Sequence, residues 1–99
     1  MTLTVEKEPN AYVLIKDGER IGLTAYDLSD DTITFTHTEV DPEKREKGFA
    51  ETLVRAALDD IRANSTLRVA ATCPYVRHFL KEHPDYQDLL TRGSAERAS

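Results

Sequence analysis

The residues best suited to chemistry lie in one stretch, Val40-Asp41-Pro42-Glu43-Lys44-Arg45-Glu46-Lys47-Gly48-Phe49-Ala50. It separates a strongly strand-like run from a strongly amphipathic helical one. At such a junction the first backbone N–H groups of the helix have no intrahelical partner, and the positive end of the helix dipole points the same way. A terminus of this kind is an anion site. Gly48 lets a phosphate approach the backbone closely, small Ala50 leaves the next turn unblocked, and Arg45 and Lys47 add positive charge. The competing reading is a plain helix start, with Asp41 as N-cap and Pro42 in the first helical position. Gly48 counts against it, because a glycine inside a helix costs about 1 kcal/mol relative to alanine. His37 and Glu39 precede the stretch and, being two apart on a strand, share one face. Ile33 and Phe35 are expected to continue that face toward the core.

The elements that must hold these residues follow from two periodicities. Strand-like runs at 3–5, 12–15, 21–26 and 32–40 are separated by Pro9-Asn10, Asp17-Gly18 and Ser29-Asp30-Asp31. Asp17-Gly18 suits a type I′ hairpin turn, where both central residues take positive φ. Connections this short leave no room for crossover helices, so the four strands form an antiparallel meander. The period then becomes helical: Phe49, Leu53, Ala57, Leu58 and Ile61 make one stripe, widened by Ala50 and Val54. Asn64-Ser65 ends that helix. Residues 67–71 read as a fifth strand. Tyr75, Val76, Phe79 and Leu80 give a second helix an apolar face, closed by His83-Pro84. A last helical turn is expected over 85–90. The fold class is α+β, with the segment 32–71 a right-handed crossover that makes the fourth and fifth strands parallel. Residues 1–92 are read as one domain and 93–99 as a loose tail.

Composition narrows the function. Of the 99 residues, 39% are apolar and 31% charged, which fits a folded soluble domain. A net charge of −5 and the lack of an aromatic-basic strand face argue against nucleic-acid binding. No apolar run is long enough to span a bilayer, and the N-terminus lacks the features of a signal peptide, so a cytoplasmic location is expected. The single cysteine, Cys73, gives no disulfide framework and no thiol pair for zinc. His78 and His83 are five apart, a poor fit to helical metal spacing, and no metal is expected.

Arg45-x-x-Gly48-x-Ala50, placed between strand and helix, resembles the pyrophosphate-binding motif of the GNAT superfamily. The flanking segments, 35–40 before it and Cys73-Pro74-Tyr75-Val76 with His83-Pro84-Asp85-Tyr86 after it, resemble a short stand-alone subgroup of about a hundred residues. The likeness runs from about Tyr12 to Leu90 and implies a GNAT-like fold. Glu46 stands where many relatives have glycine, which weakens the loop's affinity without abolishing it. Larger relatives insert two helices between the first and second strands and add two strands after the last helix. Here Val5 and Tyr12 are joined by a turn and the chain ends soon after Leu90. An open acceptor side, a bulky acceptor or a completing partner is therefore expected.

The resemblance implies acetyl-CoA as acyl donor and an unidentified primary amine, small molecule or protein, as acceptor. It implies Val40, Arg45, Glu46, Lys47, Gly48, Phe49, Ala50 and Tyr75 as donor-binding residues, with fourth-strand backbone around Glu39 and Val40 beside the pantetheine arm. Cys73 then sits next to the thioester, as an acyl-carrying nucleophile, as a proton donor to the leaving thiolate, or as a small buried apolar residue. His37 or Glu39 could deprotonate the amine; the alternatives are a satisfied rim histidine and a structural carboxylate. Arg77, His78 and Lys81 either assist the 3′-phosphate of CoA or form a solvated helix face. The expected assembly is a monomer or weak homodimer. A CoA-binding sensor or interaction module without turnover is the alternative function.

Overall fold

A computed structural model describes residues 2–41 and 48–90. Strands β1 (Leu3–Glu8), β2 (Ala11–Lys16), β3 (Glu19–Ser29) and β4 (Thr32–Val40) form an antiparallel meander. Helix α1 (Phe49–Asn64) follows, and β5 (Arg68–Ala71) then pairs parallel with β4, giving the sheet order β1-β2-β3-β4-β5. Helix α2 (Pro74–Glu82), a 3₁₀ turn at Pro84–Tyr86 and the short α3 (Gln87–Leu90) complete the described chain. The antiparallel meander, the helix between β4 and β5 and the parallel fifth strand match the sequence reading. The expected tail 93–99 lies outside the described residues.

Local chemistry accounts for the element boundaries. Asp17 and Gly18 adopt φ 51° and 86°, the two positive angles that a type I′ turn requires. Gly48, not Asp41, is the N-cap of α1, and its φ of 89° lies in the left-handed region that favours glycine. The helix thus starts later than an Asp41 cap would have it. The predicted stripe is buried as read: Phe49, Leu53, Val54, Ala57, Leu58 and Ile61. Val76, Phe79 and Leu80 are buried on α2, whereas Tyr75 is 37% exposed. Tyr75 sits about 100° around the helix from Val76, in a first turn that no earlier turn covers. That geometry corrects its assignment to the apolar face.

All three helices add buried residues to a single cluster with Tyr12, Leu14, Tyr26, Ile33 and Phe35 of the sheet. The opposite sheet face, carrying Val13, Leu23, Ala25, His37 and Glu39, has no helical layer among the described residues. Two ties lock α1 onto the sheet and the C-terminal turn. The hydroxyl of Tyr12 donates to Asp60 at 2.7 Å, and that of Tyr86 donates to Asp59 at 2.7 Å. The Tyr12 hydrogen bond holds the Asp60 carboxyl below its usual range, with Asn64 and Lys7 assisting against partial burial.

One sheet position tolerates no side chain. A Cβ at Gly22 would lie 2.9 Å from the Glu39 carbonyl oxygen and 3.1 Å from Val40 Cγ2. Gly22→Ala is therefore expected to displace the end of β4 and cost about 1–3 kcal/mol, read by urea denaturation. Tyr12→Phe removes the bond to Asp60, and is expected to cost about 1.5 kcal/mol near neutral pH. Because Asp60 is depressed in the folded state, that contribution is complete above the unfolded carboxylate value of about 4. It is lost as pH falls through the lower folded value, so the gap between wild type and variant should close in acid.

Candidate functional site

β5 accompanies β4 for four residues only, from Thr32↔Arg68 to Phe35↔Ala71. The chain then leaves the sheet: the backbone N–H groups of Thr72 and Cys73 both donate to the Phe35 carbonyl, and α2 begins at Pro74. Beyond Phe35 the β5-side edge of β4 has no strand partner among the described residues. A cavity of about 300 Å³ opens there, lined by Thr38, Glu39, Val40, Ala50 and Tyr75. It is bounded by the end of β4 and the first turns of α1 and α2. Neither helix N-terminus carries a side-chain cap among the described residues, so peptide N–H groups of both point toward this region. Burial raises the Tyr75 phenol above its usual range, with the charge of Glu51 adding to it, so the hydroxyl stays protonated at neutral pH.

Sequence spacing did not reveal how β4 divides its side chains. Ala25 pairs with His37 but Tyr26 pairs with Phe35, so Thr36 is an extra residue, a β-bulge. The bulge reverses the alternation. Phe35 and Thr38 share the helix-covered face, whereas His37 and Glu39 lie on the open one. Ile33 and Phe35 therefore do not continue the His37–Glu39 face, which corrects the expectation from strict period-2 spacing. His37 and Glu39 do lie together, with Nε2 3.2 Å from Oε2 and both side chains about 60% exposed. A pair so exposed adds little stability.

Cys73 occupies the other face. It is 2% exposed, forms the N-cap of α2, and its thiol donates to Thr38 Oγ1 at 3.3 Å. Thr38 Oγ1 lies 2.9 Å from Thr24 Oγ1 on β3, and Thr24 is fully buried. Cys73 and the His37–Glu39 pair thus stand on opposite sides of β4, and no thiol–imidazole dyad is formed. Thr24 and Thr38 were not singled out from sequence. Their signal is a pair of hydroxyl residues at inward strand positions, but the bulge hides which positions are inward.

The remaining candidates separate. Among the described residues nothing lies within 4 Å of where a Cβ of Gly48 would be. The Phe49 side chain is buried in the core, with Lys16 Nζ 5.4 Å from its ring centroid, so only its backbone faces the junction. Arg45, Glu46 and Lys47 lie outside the described residues. Arg77 and Lys81 line a different groove with Ala71, Leu80, Gln87 and Leu90, on another flank of α2 from Tyr75, and His78 is exposed. A third cavity, of about 280 Å³, is lined by Arg20, Ile21, Gly22, Leu23, Glu39, Val40 and Asp41, and so meets the first at Glu39 and Val40. Among the described residues there is no group of three side chains able to hold a metal, and no helix long and apolar enough to cross a membrane.

This chain shares its fold with solved structures. Its fold is similar to that of a ribosomal-protein-alanine N-acetyltransferase from Brucella melitensis biovar Abortus 2308, with TM-score 0.57 and 21% identity, over 73% of this chain and 60% of that one. It is also similar to an N-acetylglutamate synthase from Neisseria gonorrhoeae complexed with coenzyme A and N-acetyl-glutamate, with TM-score 0.56 and 16% identity, over 92% of this chain and 27% of that one. In sequence, 52 residues are 40% identical to Protein NATD1 of Bos taurus, covering 52% of this chain and 45% of that protein. The chain thus spans less than two thirds of each of these proteins. The family model of the GCN5-related N-acetyl-transferases matches residues 11–89, four-fifths of the chain. This chain belongs to the GCN5-related N-acetyltransferase family.

Proposed function

We propose that this protein transfers an acetyl group from acetyl-CoA to a primary amine. The observation that carries the reading is the cavity at the free edge of β4, between the first turns of α1 and α2. About 300 Å³ suits the acetylated end of a pantetheine arm rather than a whole CoA, whose diphosphate belongs outside the cavity at the start of α1. There Gly48 and Ala50 leave the backbone accessible, and Arg45 and Lys47 supply charge near it in sequence. Val40 flanks the arm. Tyr75 lines the cavity with a protonated hydroxyl that can donate to the donor's carbonyl or sulfur.

Acyl transfer needs a neutral amine, a polarised thioester carbonyl and a proton for the departing thiolate. The β4 backbone beyond Phe35, where pairing with β5 has ended, supplies donors for the carbonyl. Glu39 lines both the donor cavity and the cavity beside Gly22, so an amine arriving through the latter meets a carboxylate able to take its proton. His37, 3.2 Å from Glu39, orients that carboxylate and passes the proton to water. The acceptor is a small-molecule or protein amine. The reading keeps a cytoplasmic location and a monomer or weak homodimer.

A CoA-binding module without turnover is the second reading. Favouring it, Cys73 is buried and separated by the sheet from His37 and Glu39.

Isothermal titration of acetyl-CoA should show saturable binding to wild type. Gly48→Asp sets a charge against the phosphates, where like charges cost several kcal/mol, so Kd should rise by about a hundredfold or more. Unaltered affinity in that variant would remove the diphosphate from the α1 terminus. Glu39→Gln is expected to keep the Kd for acetyl-CoA and lower amine acetylation by about a hundredfold or more. Acetyl-CoA binding with no release of free CoA in the presence of a panel of primary amines would favour the second reading.

A further inference from the structure

We propose that Thr38 carries the proton that Cys73 supplies to the leaving sulfur of the acyl donor. The inference rests on the acetyl-CoA reading above and assigns a role to a residue that neither the motif nor the apolar pattern marked. A hydroxyl has one hydrogen to donate and two lone pairs to fill. Cys73 Sγ–H points to Thr38 Oγ1 at 3.3 Å and fills one of them. Thr24 is fully exposed to nothing but protein, at 0% accessibility, and Thr38 Oγ1, 2.9 Å away, is the side-chain partner the described residues give it. With Thr24 as the donor of that pair, both lone pairs of Thr38 are filled. Every buried side-chain polar atom among the described residues is then satisfied. Thr38 is left with one hydrogen, and it is the member of the three that lines the donor cavity.

The geometry divides the labour between a reservoir and a contact. Cys73, 2% exposed, holds a thiol proton but does not line the cavity; Thr38 lines it. In direct transfer, the amine nitrogen bonds to the acyl carbon, the C–S bond breaks, and its electron pair leaves on sulfur. Sulfur takes the Thr38 proton while Thr38 takes the proton of Cys73. The surplus amine proton passes to Glu39 and water, and Cys73 regains its proton from solvent. Thr38 is thus the contact through which the buried thiol reaches the sulfur, and Thr24 holds its hydroxyl from the other side.

The test compares Thr38→Val, Thr38→Ser and Tyr75→Phe, reading free thiol released from acetyl-CoA and Kd by titration. A second donor, the acetyl thioester of 4-nitrothiophenol, has a thiolate that leaves without protonation. Thr38→Val should keep the Kd for acetyl-CoA and lose about a hundredfold in turnover, with most of that loss absent for the aromatic thioester. Thr38→Ser, which retains the hydroxyl, should retain most of the turnover. The double variant Thr24→Val/Thr38→Val leaves no orphaned hydroxyl and should lose as much as Thr38→Val, separating proton transfer from instability. Wild-type turnover in Thr38→Val, equal losses with both donors, or a loss confined to Tyr75→Phe would overturn the proposal while leaving the acetyltransferase reading intact. Failure of wild type to bind acetyl-CoA would overturn both.

Discussion

The parting of β4 and β5 is the constraint on which the site depends. Four residues of parallel pairing hold the crossover in place, and the chain turns away at Thr72 once two N–H groups have been satisfied by one carbonyl of Phe35. Continued pairing would have joined the edge of β4 to β5 and closed the sheet. Instead the edge from Thr36 to Val40 has no strand partner among the described residues, and the ends of α1 and α2 converge beside it. Ala50 and Tyr75, from the first turns of these helices, line the opening. The cavity between the two helix ends follows from where the strands separate.

The bulge at Thr36 is the second determinant. With regular alternation, His37 and Glu39 would lie in the core-facing row with Phe35, and Thr38 would face outward. One extra residue puts the carboxylate and imidazole on the face without a helical layer and the hydroxyl next to the thiol. In the proposed mechanism, amine deprotonation and thiolate protonation fall on opposite sides of the same strand. Bulges beside active sites commonly re-aim side chains in this way. Gly22 supports the arrangement from β3, since any Cβ there would push on the Glu39 carbonyl.

Much of this was legible in the sequence, for identifiable reasons. Asp17-Gly18 carries its turn type in its residue types, and the stripe from Phe49 to Ile61 obeys a period that only a helix satisfies. The junction before α1 is recognisable because Gly48 is costly inside a helix and apt at φ 89°. What could not be read depends on pairing between strands. The offset between Ala25↔His37 and Tyr26↔Phe35 is a property of two chains segments together, and it alone decides which face receives Thr38. Tyr75 was misplaced for a related reason: heptad-like spacing places it at the margin of a stripe, and only the open first turn of α2 decides that it faces the cavity. Arg77 and Lys81 share a helix with Tyr75, yet the rotation of α2 aims them at another groove.

The central claim, that acetyl-CoA occupies the gap left by β4 and β5, is tested most directly by following backbone amides in a nitrogen-15 correlation spectrum during titration with CoA. The account predicts that shifts concentrate at residues 38–41, at 48–51 and at 73–76, the strand edge and two helix ends that meet there. Shifts gathered instead around Arg77, Lys81, Gln87 and Leu90, or an unchanged spectrum at saturating CoA, would contradict it.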